Sequence, residues 1–381
     1  MEPYATKPKK KKGGQWINKL ILWSTGILSG VLVIKYMNQK SPEQLPLSDL
    51  ALNLAILWVC LLAAMLLQTI IHETGHLVFG LLTGYRFSSF RILSLMWLKA
   101  DDRVQFKHMR IPGTAGQCLM APPNLQDGKM PVLLYNLGGV IMNTITAILC
   151  LCFSFLCPRD SFAWLLLAFS ALVGFAFALT NGLPIQTGVI NNDGRNALSC
   201  FKNEEATRAL WIQLKSTEQN SKGIRLREMP EDWFAFPSDE SMKNGIIAFV
   251  GVLACNRLMD ERRFAEADAL MEHLLSLDSG IAGLHRGQLT CDRMYVELMT
   301  QNRPDVLNEM RTKDQLKLMK ALGRDPSVLR TEFAYTLLVE KDQKKADRIL
   351  KLFEKVAASF PYQGEIQAER ELLELTKKRA E

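Results

Sequence analysis

Histidine is scarce in this chain, at five in 381 residues, and none of the eight cysteines forms a CxxC pair. That spacing excludes a zinc module built on paired thiolates. Cys150 and Cys152 lie two apart in apolar sequence and point in different directions on a helix. With Cys60, Cys118, Cys157 and Cys200 they sit in or beside apolar stretches and read as buried, reduced packing residues. Acidic residues are sparse in the first half. Up to residue 199 there are 17 basic against 9 acidic side chains, and beyond it 29 against 30, so the net +7 belongs to the first half. After residue 200 no long apolar run occurs, which excludes another helical membrane span there. No clear small-residue cleavage site follows the first apolar stretch, so that stretch reads as an anchor although Lys9 to Lys12 resemble the start of a signal peptide.

Four apolar runs are present, at 16–37, 50–82, 130–157 and 161–184. Each is long enough, at about 1.5 Å per residue, to cross a hydrocarbon core about 30 Å thick. Basic residues orient them. Six Lys or Arg lie in the tail up to Lys19 and seven between residues 84 and 130, against Lys35, Lys40 and Arg159 in the two opposite loops. This asymmetry puts both termini on the cytoplasmic side. The basic balance reports topology and contact with anionic lipid, with no reason to infer nucleic acid. The expected protein is multi-pass, in a bacterial cell membrane.

Inside the second run stands His72-Glu73-Thr74-Gly75-His76. Positions four apart lie one above the other on a helix, so His72 and His76 present both imidazoles on one face with Glu73 a step around the cylinder. That is the pattern of two nitrogen ligands to zinc and a general base. Three ionisable side chains in one turn at membrane depth are costly unless they face a polar cavity or a partner. Gly75 narrows the helix beside the histidines, so that another backbone can approach.

A tetrahedral site needs a third protein ligand and one open position. At the end of the fourth run, Asn181 and Pro184 break the helix, and Asp193-Gly194 turns back toward the depth of the motif. Asp193 is the candidate ligand. Histidine 108 and aspartate 127 in the loop between the second and third runs are alternatives, while Asp160 falls on the opposite side of the membrane.

Three segments together carry a family resemblance: His72-Glu-Thr-Gly-His76, then Gly139-Val-Ile-Met-Asn143, then Asn181-Gly-Leu-Pro184 followed by Asp193-Gly194. Over residues 50 to 200 they resemble the site-2 protease family of intramembrane zinc metalloproteases. The resemblance implies a core of three spans, one zinc ion held by His72, His76 and Asp193, Glu73 as general base, and Asn143 or Asn181 near the substrate carbonyl. It implies a membrane-spanning protein or peptide as substrate: an anchored regulator, a signal-peptide remnant or a small precursor. Asp193 departs from the family pattern, since it follows Pro184 by nine residues and Asn192 replaces the usual apolar residue before it.

Residues 85 to 106 alternate partially between apolar and polar, which predicts short strands or a hairpin at the membrane surface. In the resembling family a sheet at this place can pair with an extended substrate. Beyond residue 200 the chain reads as a soluble cytoplasmic domain over 201–381. Helices are expected near 243–259, 264–277, 284–301, 304–321, 327–340, 343–359 and 363–379, pairing as hairpins. The segments starting at Phe264 and Lys345 share apolar spacing around an Ala-Asp pair and weakly resemble a tetratricopeptide array, whose concave face would bind a protein at 205–381. His273 and His285 have no ligand spacing and read as packing or surface residues.

The expected fold is therefore mainly α, with a basic tail at 1–15, an anchor helix at 16–37, a polytopic core with a small strand region at 50–200, and the helical array. Three function classes follow. The first is a zinc endopeptidase cutting in or near a membrane span. The second is a catalytically idle scaffold whose helical domain binds proteins, which has no need of Glu73. The third, a transporter, is disfavoured by the lack of a repeat around a midplane site.

Overall fold

The computed structural model describes residues 15–40, 47–100, 103–109, 114–184 and 191–381. The tail up to residue 14 lies outside them. The chain is mainly helical with one small sheet. Four helices are long and apolar enough to cross a membrane, namely α1 (Gln15–Lys40), α2 (Leu47–Leu82), α3 (Val132–Ser154) and α4 (Phe162–Gly182). They coincide with the four apolar runs to within a few residues. Helix α4 starts where the Ser161 hydroxyl accepts from the Trp164 amide at 3.1 Å, a side-chain cap for an otherwise orphaned donor. It ends at Gly182 because Leu183, before Pro184, takes extended backbone.

Between α2 and α3 lie β1 (Arg86–Ile92), β2 (Leu95–Ala100), β3 (Arg103–His108) and β4 (Gly116–Ala121), all antiparallel in the order β3-β2-β1-β4. The expected hairpin region is present. The fourth strand lies beyond it and returns across β1, which leaves β3 and β4 as the edges. Arg91 in β1 is 1% exposed. It donates to the carbonyl of Leu93 at 2.6 Å, to that of Gly116 at 3.2 Å, and to the Thr114 hydroxyl. A buried guanidinium thus pins the start of β4 onto β1.

The second half comprises α5 (Asp193–Cys200), α6 (Glu204–Ser221), α7 (Gly245–Asp260), α8 (Phe264–Ser276), α9 (Gly283–Met299), α10 (Pro304–Met310), α11 (Lys313–Ala321), α12 (Pro326–Tyr335), α13 (Gln343–Ser359) and α14 (Gln363–Ala380). One expected helix, 304–321, is two. Thr312 caps α11 by accepting from the Gln315 amide at 3.2 Å and so breaks the run. Helices α5 and α6 were not expected.

The helical half is joined to the sheet and the membrane half through one core. Tyr85, Cys118, Met120 and Tyr135 pack in a single buried cluster with Ala209, Leu210, Phe234 and Ile246. The rings of Tyr85 and Tyr135 stack at 4.5 Å. Trp211 on α6 donates its indole N–H to the Pro123 carbonyl at 2.9 Å. All eight cysteines are free. Cys152 is exposed and Cys150 and Cys157 are half-buried, against the expectation of burial; on α3 Cys152 falls roughly opposite the buried Asn143 by helix period.

Candidate metal centre

Helix α2 carries Gln68, His72, Glu73 and His76, and all four are buried in the helix bundle. Close approach of α3 makes this possible. A Cβ at Gly75 would overlap the Gly138 carbonyl, and one at Gly139 would overlap the His72 ring. These glycines let α3 lie directly on the face that carries the motif.

The third element is α5. Asn192 caps it by accepting from the Arg195 amide at 3.0 Å, and its side-chain N–H groups reach back to the Thr180 carbonyl at 2.8 Å and the Leu183 carbonyl at 2.5 Å. Gly194 sits so close to the Gly182 carbonyl that no side chain fits there. Asn192 thus ties the start of α5 to the end of α4 and so places Asp193.

His72, His76 and Asp193 converge. His72 Nε2 lies 3.0 Å from Asp193 Oδ2, His76 Nε2 lies 3.5 Å from the same oxygen, and the two Nε2 atoms are 3.2 Å apart. A tetrahedral zinc with bonds of about 2.0–2.1 Å has ligand edges of about 3.3 Å. The triangle fits.

The hydrogen bonds on the far side of each ring decide what these nitrogens carry. His76 Nδ1 is 2.8 Å from the backbone carbonyl of Tyr135, which can only accept. His72 Nδ1 is 2.6 Å from Asn143 Oδ1, and the Asn143 nitrogen is committed to Gln68 at 2.7 and 2.9 Å. Both Nδ1 atoms therefore donate, so in the neutral rings both Nε2 atoms present lone pairs. Asp193 Oδ2 is buried and receives no hydrogen bond although two imidazole nitrogens lie beside it. Three lone pairs facing one another in a buried place repel unless a cation lies between them. The donor set, the tautomers and the orphaned oxygen all suit a divalent metal, and among the described residues no fourth ligand joins these three.

Glu73 lies within electrostatic reach of His76, His72, Asp193 and Arg91. Gly116 at the start of β4 packs on it so closely that a Cβ there would overlap the carboxylate. The segment that Arg91 clamps is thus a roof over Glu73.

Other residues singled out from sequence lie elsewhere. Asn181 donates to the Phe177 carbonyl at 3.0 Å on the same helix and is half-buried. His108 is exposed on β3 with its ring against Phe106, and Asp127 is exposed in a left-handed turn at φ 48°, so neither joins the cluster. His273 pairs with Asp239 at 2.8 Å at the surface, and His285 packs on Phe249 at 4.7 Å. Sequence reasoning missed Gln68, Asn192, Arg91 and Gly116. An amide four residues before the first histidine, in an otherwise apolar stretch, was the available signal for Gln68.

Compared with protein-family models, with curated proteins and with solved structures, the chain finds no match in any of the three.

Proposed function

We propose that this chain is an intramembrane zinc metalloendopeptidase, similar to the site-2 protease family, with His72, His76 and Asp193 as ligands and Glu73 as general base. The observation that carries the reading is the convergence of His72 Nε2, His76 Nε2 and Asp193 Oδ2 within 3.5 Å of one another, with Glu73 beside them. Bound there, zinc would acidify a water and polarise the scissile carbonyl. Glu73 would take the proton of the attacking water and return it to the leaving amine. Burial around it keeps bulk water from competing. Asn143 has its amide committed to His72 and Gln68, so Asn181 is the better candidate for contact with a substrate carbonyl.

In this reading α1 to α4 span a bacterial cell membrane with both termini cytoplasmic, and the substrate is a membrane-spanning protein or peptide. An extended segment entering the centre meets β4, an edge strand beside Glu73, where main-chain pairing can hold it. The helical half, sharing a core with the sheet, would receive the cytoplasmic part of a substrate or a partner protein.

The test uses full-length protein purified in detergent, with zinc content and cleavage of a transmembrane substrate in proteoliposomes measured on the same samples. The expected native chain holds one zinc and cleaves. Glu73→Gln should keep the metal and lose about 10²–10⁴-fold in rate. Asp193→Ala should lose both. A native chain that binds zinc and cleaves no membrane segment would leave the scaffold reading in its place.

A further inference from the structure

Gln68 lies one helical turn before His72 and is 0% exposed, in a stretch that is apolar apart from Thr69, whose hydroxyl is satisfied by the Met65 carbonyl. An amide at that depth needs partners on every side. Its Nε2 donates to the Ser170 carbonyl on α4 at 2.9 Å. That acceptor is a backbone oxygen, so the amide nitrogen must face α4 and Oε1 must face α3. There Oε1 accepts from Asn143 Nδ2 at 2.7 Å, while the backbone carbonyl of Gln68 takes a second hydrogen bond from the same nitrogen at 2.9 Å. With its nitrogen so held, Asn143, also 0% exposed, must turn Oδ1 to His72 Nδ1, 2.6 Å away.

Each link fixes the next. The polarity set by one carbonyl on α4 passes through Gln68 and Asn143 and ends at the imidazole, whose proton is held on Nδ1 and whose lone pair is left on Nε2. We infer that Gln68 is a positioning residue for the metal centre, acting through Asn143 to fix the tautomer and ring angle of His72. This rests on the metal reading of the centre and does not depend on proteolysis. The chain also ties α4, whose end carries the third ligand through Asn192, to the helix that carries the first two.

The experiment measures zinc affinity of the full chain in detergent by competition with a chromophoric chelator, and the visible spectrum of the cobalt-loaded protein. Gln68→Leu should weaken zinc binding about tenfold and shift the cobalt bands. That is the low end of the 10–100-fold usual for such partners, since the backbone carbonyl of residue 68 still holds one Asn143 hydrogen. Gln68→Glu should stay close to the native affinity, because a buried, neutral carboxylic acid can donate to Ser170 and accept from Asn143. Asn143→Ala should lose at least as much as Gln68→Leu, and combining the two should lose no more than Asn143→Ala alone.

Unchanged affinity in Gln68→Leu, equal losses in the Leu and Glu variants, or additive losses in the double variant would each overturn the inference in favour of simple helix packing. Gln68→Met, closer in volume, carries the same comparison if Gln68→Leu fails to fold. A native chain that binds no metal would overturn both this inference and the metal centre. A chain that binds metal but cleaves nothing would leave this one standing.

Discussion

In the helical half Arg330 is fully buried and pairs with Asp292 and, at 3.2 Å, with Glu369, its guanidinium lying 4.4 Å over the Tyr295 ring. At the candidate metal centre Asp193 meets two imidazole nitrogens, and among the described residues no lysine or arginine pairs with it. Both places bury carboxylates among other ionisable groups. One contains its own permanent cation, on a side chain fixed by packing. The other converges three lone pairs and leaves the positive charge to be supplied from outside. A cluster gathered around its own arginine ties helices of the fold together, whereas in the reading proposed above the other cluster takes its cation as a ligand. The same contrast separates Arg225, which pairs with Asp260 and Glu371 and ties the segment after α6 to the end of α7 and to α14, from Glu73, which has no such ion pair among the described residues and lies under the β4 roof.

The largest effect should come from removing the resident cation. Arg330→Met would leave Asp292 and Glu369 buried without their partner, and breaking a buried pair in this way costs about 3–5 kcal/mol. The expected result is a large fall in melting temperature with zinc stoichiometry of the surviving folded protein unchanged. A variant that lost metal and kept its stability would reverse the assignment of the two clusters.

One side of this contrast is largely legible in the amino-acid sequence. Four apolar runs became four helices, and the spacing of His72 and His76 placed both rings on one face, because helix period is a local property. Asp193 could be suspected only from its Asp-Gly turn, since what places it is Asn192 bonding to Thr180 and Leu183, contacts made with the end of another helix. Partners distant in sequence were illegible. Gln68 meets Asn143 and Ser170 on two other helices, and β4 pairs with β1 across the β2–β3 hairpin. The break of 304–321 has a local signature, since Thr312 followed three residues later by Gln315 is a capping pattern. Arg330 likewise reads as one more basic residue on a helix until Asp292 and Glu369 are seen around it.

The second effect sharpens the other side of the comparison. A ligand that binds only the folded chain stabilises it, by about 4 kcal/mol at a free concentration a thousandfold above Kd. Zinc should therefore raise the melting temperature of metal-stripped native protein, and a chelator should reverse the rise. In Asp193→Asn, which keeps the shape and removes the charge, the zinc-dependent rise should be mostly lost while the metal-free melting temperature stays close to native. Equal stabilisation of both proteins by zinc would place the metal elsewhere in the chain.

The smallest effect concerns how completely Arg330 neutralises its surroundings. Burial pushes the Glu369 carboxyl up to about 7, against the pull of Arg330 and with the added push of Asp292, Asp325 and Asp260. Burial likewise raises Glu365, which faces Asp325, Glu369 and Asp292, and it raises Asp292 itself. One guanidinium thus serves more carboxylates than it can match. A carboxyl raised from about 4.5 in the unfolded chain keeps its proton in the folded state across the interval up to about 7, so the folded state binds more protons there and stability falls as pH rises through it. The contribution is fully present below about 4.5 and should be lost by pH 8, a change on the order of 2–3 kcal/mol. Melting is best followed in metal-free Asp193→Asn at pH 5 and pH 8, so that proton release on metal binding does not intrude. The expected fall between the two should shrink when Glu369→Gln is added, because an amide has no proton to lose. If melting temperature instead rises from pH 5 to 8 equally with and without Glu369→Gln, the Arg330 cluster is balanced, and its excess of carboxylates has no energetic weight.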